Sequence, residues 1–264
     1  WNVMWFDTIA LFPLVMLGVV AMCREKKWKL YTIALALSLI SNYYIGFFTC
    51  IFTVFMFAAS AIIEWQGIKA FFGRLWLIIR SSVIGLAMGG FILIPAYKAL
   101  QLTHSVTSVM PQNISWENSW LDMFANLISY NEPTSKEGLP NFACGMLAIT
   151  LIGVFLFAGG IKIREKISSV ILLGIIAVSC NMNKLDYIWH GFHETNQLPY
   201  RFAFIFSFIL AVMAYRAYDI LTDKGIKLYH LPMLLIGPAA IGVVTYYSKK
   251  AAGEVFNLED TALK

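Results

Sequence analysis

The stretch Trp189-His190-Gly191-Phe192-His193-Glu194-Thr195-Asn196-Gln197-Leu198-Pro199-Tyr200-Arg201 holds two of the chain's four histidines, a carboxylate and an arginine. His190 and His193 are three apart, a spacing that can put both imidazoles on one side of a turn, and with Glu194 they imitate part of a metal site. The order departs from HExxH and brings no further ligand, so hydrogen bonding to a phosphate, to sugar hydroxyls or to loop carbonyls is the better use of these rings. Trp189 and Tyr200 flank them with polar-tipped aromatic surface. Arg201 falls where an apolar run resumes. A guanidinium there either anchors on lipid phosphate or clamps a substrate phosphate with its planar set of donors, and spacing alone leaves both open.

Other groups with chemical potential lie elsewhere in the chain. Asp7 sits about one turn into an apolar run, where a carboxylate is costly unless it has a partner or a task. Its two readings are a hydrogen-bonded lock to a neighbouring helix or to Arg201, and a weak candidate for a catalytic carboxylate. Asn42, Tyr43 and Tyr44 form a polar, aromatic break suited either to substrate contact or to an interfacial belt. Trp116-Glu117-Asn118-Ser119-Trp120-Leu121-Asp122 mixes indoles with two acids, as a short interfacial helix or a carbohydrate-stacking platform would. The four cysteines fall singly, without metal-ligand spacing.

The elements that must position these residues follow from composition. Of 264 residues, 59% are apolar and 13% charged, about half the charge of a soluble domain, with a mean hydropathy of +0.70. These values exclude a disordered tail, a disulfide scaffold and a cytosolic enzyme. They predict an all-α, polytopic membrane bundle. The net charge of +5 comes from short basic clusters between apolar runs, which orient a membrane protein and do not suggest nucleic acid.

A crossing needs about 20 apolar residues. By that measure spans are expected at 6–22, 29–42, 46–63, 80–98, 142–160, 167–181, 201–218 and 229–247, eight in all. Residues 30–63 form one uncharged run that as a single helix would reach about 51 Å, far beyond the hydrocarbon. Ser41-Asn42-Tyr43-Tyr44-Ile45-Gly46 supplies a turn within it, so a hairpin at 41–46 is expected. With that hairpin, 13 of the 20 basic residues share one side, among them Arg24, Arg74, Lys162 and Arg164. The positive-inside rule makes that side cytoplasmic and the other outward. The resulting organisation is four helices in 1–98, an outward loop with short interfacial helices in 99–141, four more helices in 142–247, and an outward tail, 248–264, leading toward a further domain. Residues 64–79 are expected as an amphipathic surface helix. The chain opens at Trp1 almost directly on an apolar run and is expected to be an internal part of a longer protein.

Several segments, taken in order, resemble the YfhO-type bacterial membrane proteins of the GT-C glycosyltransferase class. They are Trp5-Phe6-Asp7 leading to Pro13-Leu14, then Ser41 through Gly46, then Gly138-Leu139-Pro140-Asn141 with Cys144-Gly145. The last are Trp189-His190-Gly191-Phe192-His193 and Leu198-Pro199-Tyr200-Arg201-Phe202. The resemblance covers most of the chain. It implies an enzyme of the bacterial plasma membrane, its active face extracellular, that takes a sugar from a polyprenyl-phosphate donor and passes it to a cell-surface polymer such as lipoteichoic acid.

On that reading the substrate-binding residues are Asn42, Tyr43, Tyr44, Trp189, His190, His193, Tyr200 and Arg201, with His190 and Arg201 on the phosphate side. The partners are the donor, the polymer acceptor and membrane lipid. No cofactor is evident, and a divalent cation is compatible with the chemistry. The catalytic carboxylate of the class lies in the first outward loop, so it is expected upstream of residue 1. A transporter or flippase, and a non-catalytic assembly subunit for envelope polymers, remain the alternatives.

Overall fold

The computed structural model describes residues 3–102, 109–128, 138–193 and 197–251. Among the expected features, Glu194, residues 103–108 and 129–137 of the long loop, and residues 252–264 of the tail lie outside the described residues. Within the described residues the chain is helical, with one isolated bridge between Trp116 and Met182 and no strand. Helices satisfy their own backbone, which is what a chain this apolar requires in hydrocarbon. In order they are α1 Val3–Glu25, α2 Lys29–Ser41, α3 Tyr43–Ile63, α4 Ile68–Met88, α5 Gly90–Leu100 and α6 Trp120–Ala125, then α7 Met146–Phe157, α8 Ile163–Ser179, α9 Asn183–Trp189, α10 Phe204–Lys224 and α11 His230–Ala251.

All eight expected segments carry helix. Among the described residues, five helices (α1, α3, α4, α10 with its preceding turn, and α11) are long and apolar enough to cross a membrane, while α2, α5 and α7 are shorter apolar helices. One boundary differs from expectation. In place of a surface helix over 64–79 and a span over 80–98, α4 runs unbroken from Ile68 to Met88, and Gly89 separates it from α5. Of the stretch's two basic residues, Lys69 stays exposed, whereas Arg74 is buried and its Nη1 donates to the Glu64 carbonyl at 2.7 Å.

The chain divides into two compact units. The first comprises Trp1–Gln112, Lys162–Leu172 and Lys184–Glu194. Here α1 and α2 form an antiparallel pair, crossing where a side chain at Gly18 would collide with the Tyr31 backbone. Asn42 alone ends α2 and starts α3. Its N–H donates to the Ser38 carbonyl, and its Oδ1 accepts from the Tyr44 and Ile45 amides at 3.1 and 3.0 Å. α3 lies parallel to α1 in a fixed register, since Phe12 meets Phe52 (ring centroids 5.7 Å apart) and Arg24 meets Glu64 (2.9 Å), each pair forty positions apart. Phe12, Val15, Met16, Tyr31, Phe48 and Phe52 are buried in the core of this unit.

Two chemically different ends result. The 21 residues of α3 rise about 31 Å. At its start stand Asn42 and Tyr44, with Thr8 of α1 donating to the Ser38 carbonyl beside them. Beyond its last turn Glu64 receives Arg24 and, at 3.8 Å, Lys162.

The second unit comprises Asn113–Ile161, Leu173–Asn183 and Thr195–Lys264. α7 packs on α10 and α11. It meets α11 so closely that a Cβ at Gly153 would overlap the Met233 carbonyl, and one at Gly237 the Ile149 carbonyl. Phe142 stacks on Phe206 of α10 with centroids 4.1 Å apart, and Ser248 of α11 donates to Asp122 of α6.

Candidate functional site

In the first unit, the short α9 ends by a local rule that fixes His190. Gly191, at φ 76°, donates to the Ile188 carbonyl, and Phe192 donates to that of Tyr187, while the Phe192 ring packs against Tyr187. This is a Schellman end with glycine in the left-handed position, and it makes His190 the C-cap, directly after the last helical residue Trp189. His190 is fully buried. Its Nδ1 lies 2.8 Å from the Asp186 carbonyl and 3.2 Å from the Asp186 carboxylate one turn earlier. Both partners are acceptors, so Nδ1 carries the proton, and in the neutral ring Nε2 is the basic nitrogen.

Aromatic rings from α3 enclose this imidazole. Phe48 meets it edge-on at 5.8 Å, and Tyr44 lies 6.5 Å from it and 6.3 Å from the His193 ring. Trp189 packs between Phe48 and Phe55. The structure therefore brings Tyr44, Trp189, His190 and His193 together. Asn42 is spent on capping α3, and Tyr43, the next position round the helix from Tyr44, is exposed. Asp7 is exposed in α1, near the same end of the unit, and makes no hydrogen bond or ion pair with a described residue, so the expected lock to a neighbouring helix is not made.

The second unit holds a separate constellation. Residues 113–118 dock on 181–183: Glu117 N–H donates to the Asn181 carbonyl, Asn118 N–H to Asn181 Oδ1, and Ser115 N–H to Asn183 Oδ1. This fixes Glu117 and Asn118 against Tyr200, whose hydroxyl donates to Glu117 Oε2 at 2.7 Å and accepts from Asn118 Nδ2 at 2.9 Å. Leu198 and Tyr200 have left-handed backbones (φ 54° and 57°), a conformation costly for side-chain-bearing residues. Arg201 stabilises that turn by donating from Nε to the Leu198 carbonyl and from Nη2 to the Gln197 carbonyl. Trp116 and Trp120 lie beside Glu117 in sequence, exposed, with centroids 5.6 Å apart.

Sequence reasoning named Glu117 and Asn118 only within the 116–122 stretch, without their partner Tyr200, and did not single out Asp186 or Asn181. The Asp186–His190 spacing of four was a readable signal, because those positions share a helix face. Nothing local announces Glu117 with Tyr200, 83 positions apart. Among the described residues no group of three or more His, Cys, Asp or Glu side chains is arranged to hold a metal.

The family described as bacterial membrane protein YfhO matches residues 1–260. No curated protein and no solved structure matches the chain.

Proposed function

We propose that this chain, which belongs to the YfhO family of bacterial membrane proteins, is a multi-pass membrane glycosyltransferase that moves a sugar from a polyprenyl-phosphate donor to a cell-surface polymer of the lipoteichoic acid kind. The observation that carries the reading is the Asp186–His190 pair, buried under Tyr44 and Phe48 at the end of the first unit opposite its basic cluster. A lipid-linked donor keeps its tail among apolar helices and brings its phosphate to the interface, where a histidine oriented by a backbone carbonyl, with a carboxylate 3.2 Å away, is suited to meet it.

In this reaction the acceptor oxygen bonds to the anomeric carbon as the bond from that carbon to the phosphate oxygen breaks. The acceptor proton passes to a carboxylate base, and the leaving phosphate keeps the electron pair. His190, protonated at Nε2, donates to that phosphate, and the Asp186 carboxylate steadies the imidazolium. Tyr44 and His193 line the same approach. Asp7 is the candidate for the base at this end. In the second unit, the Trp116 and Trp120 faces with Glu117 and Asn118 have the chemistry that sugar rings and hydroxyls require. Arg201 acts as a positioning residue, holding the turn that presents Tyr200.

The test is sugar transfer in cells that make the protein. His190→Ala is expected to lower surface-polymer glycosylation about 100-fold or more, and Asp186→Asn to lower it less, while both variants reach the membrane at normal level. Unchanged glycosylation in His190→Ala overturns the proposal. Loss of lipid movement with transfer chemistry intact would instead identify a flippase.

A further inference from the structure

At the basic end of the first unit, a cavity of about 490 Å³ opens between the α3–α4 turn and the start of α8, lined by Glu64, Trp65, Gln66, Lys162, Ile163 and Arg164. Its charge is unbalanced. One carboxylate, Glu64, serves Arg24 at 2.9 Å and Lys162 at 3.8 Å, and its carbonyl accepts from the buried Arg74. Arg164 is exposed at the cavity and makes no hydrogen bond or ion pair with a described residue. Two cations, Lys162 and Arg164, thus line the cavity with one carboxylate that already serves Arg24, and the positive end of α8, which begins at Ile163, adds to the field. An anion of more than one charge-bearing oxygen is what such a site lacks.

The surroundings say how that anion arrives. α4 leaves the turn with two faces: Arg74, Ile78, Ser81 and Gly85 are buried, whereas Ile68, Phe72, Trp76, Ile79 and Val83 are exposed at helical spacing. An apolar face this continuous on a helix of membrane-crossing length meets acyl chains. Trp65, half-exposed at the cavity rim, suits the headgroup level. We infer that the cavity binds the phosphate of an anionic phospholipid headgroup, with Lys162 and Arg164 as its donors and the acyl chains lying along the outer face of α4. This inference is independent of the sugar-transfer reading.

The experiment follows thermal unfolding of the purified chain in detergent titrated with phosphatidylglycerol, phosphatidylcholine or inorganic phosphate. Phosphatidylglycerol is expected to raise the unfolding temperature about 3–5 °C more than phosphatidylcholine does. Arg164→Ala should remove part of that difference and Lys162→Ala with Arg164→Ala nearly all of it, while Lys249→Ala with Lys250→Ala preserves it. If the double variant at 162 and 164 folds poorly, the exposed Arg164→Ala carries the test alone. An undiminished preference for the anionic lipid in the Arg164 variant, or equal loss in the Lys249/Lys250 control, overturns the site. A full shift produced by inorganic phosphate alone overturns the lipid assignment.

Discussion

Tyr200 shows what one side chain does when its neighbours come from far along the chain. Its hydroxyl both donates to Glu117 and accepts from Asn118, and its left-handed backbone is held by the Arg201 guanidinium. Tyr200→Phe keeps the ring and removes both hydrogen bonds, leaving partly buried polar groups unmatched. The expected cost is about 1–3 kcal/mol in detergent unfolding. A variant as stable as the parent would show that Glu117 and Asn118 find other partners, most plainly water. The residues of 189–201 were conspicuous in the sequence because histidine, carboxylate and arginine are scarce in so apolar a chain. What each of them does was not legible. Arg201 reads equally as a phosphate clamp or an anchor until its donors are seen bonded to Gln197 and Leu198, and the His190 tautomer is fixed by a backbone carbonyl, that of Asp186 one turn earlier, which no motif announces.

Helix boundaries divide in the same way between local signals and tertiary ones. The α2–α3 break was legible because Asn42 is a strong cap and the following Gly46 lets the two helices close, so local chemistry and global fold agree. Asn42→Ala should destabilise the first unit by about 1 kcal/mol, with Asn42→Asp recovering most of it. Identical denaturant midpoints for Ala and Asn would argue that packing, and not the cap, sets the break. The start of α4 was not legible. Lys69 and Arg74 look like surface charge, yet Arg74 turns inward to a carbonyl ten residues away, a partner that no periodicity reveals. The α7–α11 contact depends on small residues. Gly237→Val would drive a side chain into the Ile149 carbonyl and should cost about 1–3 kcal/mol or more, read as a lowered unfolding temperature. Tolerance of valine there would mean that the two helices stand farther apart.

The molecule as a whole is a multi-pass helical membrane protein, and its composition alone carried that much. Charge bookkeeping gives an expected orientation, and the opposite ends of α3 offer the positions at which to test it. A cysteine introduced at Tyr43 should react with an impermeant thiol reagent in intact cells. One introduced at Gln66, beyond the other end of α3, should react only after the membrane is opened. Reaction of both from the same side would refute the assignment of ends and the sugar-transfer reading with it. The length of one helix in the first unit sets how the surrounding lipid must adapt. The thirteen residues of α2 climb only about 20 Å, while the hydrocarbon is about 30 Å deep, and Leu30, Ile33 and Leu37 form its exposed face. A bilayer pressed against so short a flank must pinch inward there, drawing water and headgroups down toward Tyr44. A spin label at Leu37 is therefore expected to sense more water than one at Val54 of α3. The lipid beside that flank becomes a shallow funnel that opens toward the ring cluster at the start of α3.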